Sequence, residues 1–157
     1  MTTILLETAI EAILDALVAA VTAATVPGQP LAAVREVVRG DRSRMPPESP
    51  AIWIVPEMAT TATAARDGGR GISETWSLPV RLAAFVSSDD PLVGSRECVR
   101  LAARARTVIL RDRQLGLAYV SDTTSTEFQA AGPTENRVWH VAAATIVVRF
   151  VTREEMA

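Results

Sequence analysis

The stretch that decides the fold runs from Ala51 to Ser87 and holds two apolar segments separated by a polar one. Residues 51–56 read AIWIVP, and residues 73–87 read SETWSLPVRLAAFVS. Apolar and polar side chains alternate along the second segment, which is typical of a β-strand with one buried and one exposed face. The apolar parity consists of Trp76, Leu78, Val80, Leu82, Ala84 and Val86, and the polar parity contains Ser73, Thr75, Ser77, Arg81 and Ser87. The stretch therefore predicts two β-strands, the second with its apolar parity in the core.

The polar residues 57–72 between these strands predict a loop of sixteen residues, which is longer than most loops in compact domains. Residues 67–71 read DGGRG, but neither a Gly-Lys-Ser/Thr motif nor a helix follows them, so they do not form a phosphate-binding loop. The loop is either an insertion without a role or a contact element. Because long loops in compact domains are often functional, a contact element is favoured.

The first helix is predicted over residues 4–25, with Thr2 or Thr3 available to cap its first turn. Its apolar stripe consists of Leu6, Ile10, Ile13, Leu14, Leu17 and Val21. This spacing places all six side chains on one face.

The second helix is predicted from Pro91 to about Arg111. Asp90 can accept hydrogen bonds from the first free amides, and proline suits the first helical position. The expected buried stripe is Cys98, Leu101, Ala102, Ala105, Val108 and Ile109.

Further strands are predicted at residues 33–39, at 117–120 with 123–130, and at 137–152. Both parities of the last strand are largely apolar, so it is expected to be covered on both faces, within the fold or by a neighbouring subunit. The order is helix, three strands, helix and two strands. It predicts a single α+β domain over residues 1–157, with a mostly antiparallel sheet and two main helices packed on one face.

Composition narrows the function classes. The chain has 48% hydrophobic and 22% charged residues, as ordinary globular proteins do, and its net charge of −2 argues against a general nucleic-acid binder. No apolar run approaches the ~20 residues of a membrane span, and we expect no secretory signal, because Met1-Thr2-Thr3 supplies neither a basic start nor a cleavage site. We therefore expect folding in a cytoplasm.

The residues with chemical potential are few, and each has a structural explanation. His140 is the single histidine and shares its strand parity with apolar residues, so it is expected to be packed or to lie in an interface. Cys98 lies on the apolar stripe of the second helix, where buried thiols are inert. Asp89 and Asp90 are explained by helix capping rather than by a cation. The sequence thus predicts no catalytic, cofactor-binding or metal site, and no enzyme.

Two charged stripes repeat at four-residue spacing on the predicted helices. They consist of Glu7, Glu11 and Asp15 on the first helix, and of Arg96, Arg100 and Arg104 on the second. The two stripes are candidate contacts with each other, within one subunit or between two. In the alternative interpretation each stripe faces solvent, where an exposed ion pair contributes only ~0–1 kcal/mol.

With its elements in this order, the chain resembles the tail terminator, or tail-completion, proteins of long-tailed bacteriophages. The features that carry the resemblance are the opening helix 4–25, the apolar strand 51–56, the loop before strand 73–87, the helix starting at Asp90-Pro91 and the closing segment TIVVRFVT at 145–152. They extend over nearly the whole chain.

The resemblance implies a structural virion protein that forms a hexameric ring on the finished tail tube, stops tube polymerisation and joins the tail to the head connector. The implied partners are further copies of the chain, the tail tube protein and the head-closure or connector protein, with no cofactor and no membrane. DNA would pass through the lumen without sequence recognition. The implied location is the virion neck, after assembly in the bacterial cytoplasm. By the same resemblance, Arg66, Asp67 and Arg70 of the loop would contact the tube or a neighbouring ring.

Other functions remain open at this point. Another neck component, such as a head-closure or tail-tube protein, is closely related, although two substantial helices suit a tube subunit less well. A small enzyme would have to act without a histidine–nucleophile pair, clustered metal ligands or a phosphate loop. A monomeric binding domain is disfavoured by the last strand, which is apolar on both faces.

Overall fold

The alternating segment forms the centre of a six-stranded sheet. The structure, a computed structural model, describes residues 3–40, 48–66, 71–133 and 138–155, with side chains described outside residues 62–66, 131–133 and 155. Its elements are α1 (Leu6–Ala23), β1 (Glu36–Arg39), β2 (Ala51–Pro56), β3 (Thr60–Arg66), β4 (Gly71–Ser87), α2 (Pro91–Leu110), β5 (Val120–Pro133) and β6 (Trp139–Glu155). The predicted α+β fold is confirmed.

The sheet has the strand order β1-β2-β4-β6-β5, and β3 pairs with β4 beyond the end of β2. β1 is parallel to β2, and the other pairs are antiparallel. β4 and β6 pair from Gly71 with Glu155 to Ser87 with Trp139, so each strand is paired along its whole length. This long ladder is the axis to which the other strands attach.

The prediction of a loop over residues 57–72 is wrong for most of that range. Residues 60–66 form β3, which pairs with residues 72–77 of β4 as a β-hairpin. Four strands therefore precede α2, not three. The sequence of β3, TTATAAR, has no alternation of polar and large apolar residues, so the strand lacks the pattern by which strands are recognised. Its β-branched threonines suit an extended backbone, and the edge of β4 supplies the partner.

Pro79 lies at the gap between β2 and β3, because the pairing with β4 passes from Pro56–Val80 to Thr60–Ser77. The Pro79 carbonyl accepts a hydrogen bond from the Glu57 amide at 2.9 Å, so the missing N–H of the proline faces the same gap. A proline is tolerated inside β4 for this reason: no regular ladder partner is lost.

Helix α1 starts differently from the prediction. Its N-cap is Leu5, which makes no side-chain capping bond, so Thr3 does not cap the helix. Instead Ile4 pairs with Arg153 through two backbone hydrogen bonds of 2.8 and 3.1 Å. This bridge holds the chain extended up to the helix. β6 itself continues to Glu155, beyond the predicted strand end at residue 152, because its last residues pair with the start of β4.

Helix α2 starts as predicted. The Asp90 carboxylate accepts hydrogen bonds from the backbone amides of Leu92 and Val93 at 2.9 and 3.3 Å, and Pro91 follows at the first helical position. The predicted stripe is buried except for Val108, which is half-buried. Among the described residues, neither helix is both long and apolar enough to cross a membrane.

The main core lies between the two helices and one face of the sheet, which we call the inner face. Its fully buried side chains include Ile13, Leu17, Ile52, Ile54, Leu82, Leu101, Ile109, Ile146 and Phe150. On β4 the predicted apolar parity points into this core, with Trp76 only half-buried at its start and bonded through Nε1 to the hydroxyl of Thr152 at 3.1 Å.

His140 is packed under the first turns of α2, which confirms that it is a packed residue. The side chain is 2% exposed, and Nε2 lies 3.3 Å from the carbonyl oxygen of Ser88. A Cβ placed on Gly94 would lie 2.6 Å from Nε2 and 2.8 Å from Cγ of the imidazole. Glycine is therefore required here for the helix to approach the ring.

This contact leads to a first prediction. Gly94→Ala should lower the free energy of unfolding by about 1–3 kcal/mol, because overpacking forces the imidazole or the helix to shift. In a His140→Ala background the same change should be neutral or stabilising, since alanine has a helix propensity about 1 kcal/mol better than glycine. Urea denaturation of the four chains measures both effects. An equal cost in the two backgrounds would contradict the contact.

Candidate functional site

The face of the sheet that points away from both helices, here called the outer face, carries a second apolar cluster. Its buried members are Val38, Ala51, Trp53, Ala83 and Ala143, with Val55, Phe85 and Val141 packed against them. The cluster exists because β2 and β6, and the last third of β4, are apolar on both parities. Both described helices pack on the inner face, so the outer face has no helical layer among the described elements.

Trp53 and Phe85 form the aromatic centre of this cluster. Their ring centroids are 4.7 Å apart and the planes are inclined by 46°. Trp53 is 4% exposed, yet its indole Nε1 finds no hydrogen-bond acceptor among the described residues. A buried donor without an acceptor costs about 1–3 kcal/mol, so this N–H destabilises the cluster slightly.

Small side chains turn the middle of the outer face into a groove. Ala83 of β4 is paired with Ala143 of β6, and the next outward position of β6 is Thr145, opposite Arg81. Arg81 reaches across β6, and its Nη2 donates to Oε1 of Gln129 on β5 at 2.5 Å. The short residues beneath this hydrogen bond leave open space on either side of it.

Two cavities share Arg81 and Gln129 as lining residues. The first, the Trp53 cavity, has a volume of about 270 Å³ and is otherwise apolar; its walls are formed by Trp53, Val55, Ala83, Phe85, Val141 and Ala142. The second has about 550 Å³ and is more polar, with Glu57, Glu127, Phe128, Ala143 and Thr145 around it. Of the described residues that line the Trp53 cavity, Arg81 is the only charged one.

The acidic stripe of α1 does not contact the basic stripe of α2 within one chain, so the predicted contact of the two stripes within one subunit is wrong. Arg39 of β1 binds Glu11 instead, with Nη2 to Oε1 at 2.7 Å, and Asp15, with Nη1 to Oδ1 at 3.3 Å. The hydrogen bond from Arg39 lowers the pKa of the Glu11 carboxyl. Glu7 is exposed in the first turn. The physical reason is proximity: β1 packs beside α1 and brings its own cation.

Two arginines of the basic stripe of α2 also bind groups of their own chain. Arg100 pairs with Glu97 of the same helix at 2.5 Å, and Arg104 donates from Nη1 to the carbonyl oxygen of Pro30 at 3.1 Å. Arg96 is exposed. Contacts of these stripes between subunits remain a prediction.

The loop residues predicted as partner contacts are placed only in part. Arg66 is the last residue of β3, whereas Asp67 and Arg70 lie outside the described residues. The strands on either side of this segment, β3 and the start of β4, form a hairpin that we call the hairpin arm. It lies at the end of the sheet where β4 begins and β6 ends.

The remaining sequence candidates have structural roles. In the described part of the chain, no group of three or more His, Cys, Asp or Glu side chains is arranged to hold a metal ion. Cys98 has no exposed surface, and burial raises the pKa of its thiol to about 11, partly opposed by a hydrogen bond with the Val86 backbone. Asp90 caps α2 as predicted.

Sequence reasoning missed the outer-face groove, although one signal for it was present. The apolar character of both parities in β6 was recognised, but Ala83 and Phe85 on the polar parity of β4 were not connected with it. Arg81 and Gln129 are 48 residues apart and meet only across β6, so no local pattern links them.

Comparisons of the chain with models of known protein families and with curated proteins found no match.

The buried thiol gives a second prediction. Because the thiolate is the reactive form and Cys98 is both buried and raised in pKa, the folded chain should react with a disulfide reagent at least about 1,000-fold more slowly than the unfolded chain at pH 8. Burial favours the neutral thiol. The stabilisation of the folded chain by the neutral Cys98 thiol is therefore complete below pH 9.0, and it is lost as the pH rises to about 11. Urea denaturation at pH 8, 9.5 and 11 should follow this loss.

Cys98→Ala is the matched control, because it removes the titrating group and keeps a small side chain on the stripe. The fall in stability between pH 9 and 11 should be smaller in this variant than in the native chain. An identical fall in both chains would contradict the assignment.

Proposed function

We propose that the protein is a structural subunit of a bacteriophage tail, a tail terminator whose copies form a hexameric ring on the end of the tail tube, stop its growth and join it to the head connector. The proposal rests on the resemblance in the order of the helices and strands and in their patterns of apolar and polar residues. The α+β architecture agrees with it. Further copies of the chain, the tube protein and the connector protein are the proposed partners, and the virion neck is the proposed location.

The observation that carries the proposal is the apolar outer face. A sheet with apolar side chains on both faces is stable when each face packs against another layer. The described helices supply that layer on the inner face alone. In a ring, neighbouring subunits can supply the second layer, since assembly interfaces bury apolar cores with few charges. The Trp53 cluster has that composition, since among the described residues that line its cavity only Arg81 is charged.

The hairpin arm of β3 and the start of β4 supports a second contact. β3 pairs with β4 on one side, and among the described strands nothing pairs with its other edge. An open edge presents backbone N–H and C=O groups that another chain can bind by strand addition. No charged residue interrupts the first six positions of β3. We therefore propose that the tail tube binds along this edge, with Arg66 and, further along the sequence, Asp67 and Arg70 as candidate contacts.

The ring is tested on the purified protein. We expect particles with six times the 16.8 kDa mass of one chain in sedimentation velocity, and six-fold rings in electron micrographs of the same sample. Monomers at every concentration tested, alone and with tail tubes added, would overturn the ring.

The edge contact is tested separately with Thr60→Lys/Thr61→Lys, because both side chains are exposed and lysine blocks strand addition at a sheet edge. When tubes are polymerised from the tube subunit of the same phage, the native chain should end them at a fixed length. The lysine variant should let them grow longer. Thr60→Ser/Thr61→Ser is the matched control and should keep the native length; tubes of native length with both variants would refute the edge contact.

A further inference from the structure

The Trp53 cavity is shaped for a side chain, not for a small molecule. Its volume of about 270 Å³ lies below the ~300–1,000 Å³ of typical ligand pockets, and it has room for one or two aliphatic side chains. Apart from Arg81 and Gln129, the described residues of its walls are apolar. Arg81 adds one positive charge at the wall of this apolar space. The occupant should therefore be an aliphatic group accompanied by a carboxylate.

The chain carries such a group on the first turn of α2, which we call the α2 knob: Leu92 and Val93. These side chains are 58% and 57% exposed, although they lie in the first turn of a well-capped helix. Asp89, directly before the cap residue, is exposed and forms no ion pair with a described residue. The knob thus combines two aliphatic side chains with a carboxylate beside them.

The knob and the cavity lie on opposite sides of one sheet. α2 packs on the inner face, whereas Trp53 and Phe85 belong to the outer face. A chain cannot bring its own knob to its own cavity without passing through the sheet, but a second copy can. Both features are near the same end of the sheet, since Phe85 lies two residues before Ser87, at which β4 ends.

We propose that the α2 knob of one copy docks into the Trp53 cavity of the next copy, with Asp89 of the first copy against Arg81 of the second. Leu92 and Val93 fill the apolar space beside Trp53 and Phe85. Because the two contact surfaces differ, the contact is head-to-tail, and repetition of such a contact gives a ring when the rotation closes. The inference rests on the proposed ring and identifies the surfaces that build it.

The test uses variants that remove one surface each. Leu92→Ala/Val93→Ala removes the knob and keeps the helix, since alanine is a strong helix former and the Asp90 cap is untouched. Ala83→Leu fills the cavity. Each variant alone should raise the dissociation constant at least about tenfold and give monomers in sedimentation velocity. Val26→Ala, which shortens a side chain that is 50% exposed elsewhere, is the matched control and should assemble like the native chain.

Mixing the two variants distinguishes docking from misfolding. The knob variant retains an intact cavity, and the cavity variant retains an intact knob, so each mixed pair can form one native contact. An equimolar mixture should therefore give dimers of one copy of each variant and nothing larger. Monomers in the mixture would overturn the docking, because each chain then fails for a reason other than the missing surface.

Charge exchange tests the pairing of Asp89 with Arg81. Asp89→Arg and Arg81→Asp should each abolish assembly, and the chain with both changes should assemble again. If the single variants do not assemble and the double variant does not assemble either, this pairing is overturned. If the native chain forms rings and all variants form them equally well, the docking is overturned and the ring stands. If the native chain itself stays monomeric, the ring fails.

Discussion

The pairing of β4 with β6 is the constraint on which the rest of the structure depends. Every other strand is attached to this pair directly or through one neighbour, and α2 packs on it. Both strands carry apolar residues on both parities where they pair between Ala83 and Phe85. Since burial of apolar surface is worth roughly 25 cal/mol per Å², such a pair favours a packing layer on each face. The inner layer is formed by the helices, and this explains why residues of β6 such as Ile146 and Phe150 have no exposed surface.

Small residues have opposite consequences on the two faces. On the inner face, Gly94 lets α2 approach closely enough for the imidazole of His140 to fill the space beneath it. On the outer face, Ala83 and Ala143 have no such element above them in the described part of the chain, and their small size leaves open space: Ala83 lines the Trp53 cavity and Ala143 lines the second cavity. The difference lies in what packs against each position, which cannot be read from residue size alone.

The fold class could be predicted from the sequence because its signals are local. The period-two pattern before Ser87, the apolar stripes of the helices and the cap at Asp90 each act over a few residues. The features that were missed depend on partners far along the chain. β3 has no pattern of its own and forms against the free edge of β4, and the bridge from Ile4 to Arg153 replaces the expected threonine cap. Glu11 and Arg39 are 28 residues apart, so the cation that binds the acidic stripe could not be identified from helical spacing.

The candidate site shows the same limit and also how sequence and structure complement each other. The last strand alone left two options, a cover within the fold or a cover from a neighbouring subunit. The helices cover the inner face of the last strand. A cover from a neighbouring subunit therefore concerns its outer face alone. Much of the charge near the helices is already paired within the chain, as in Arg39 with Glu11 and Arg100 with Glu97. In the proposed assembly, charges such as Arg81 at the Trp53 cavity would select the partner and the apolar surface would supply the affinity, since charge complementarity governs specificity more than strength.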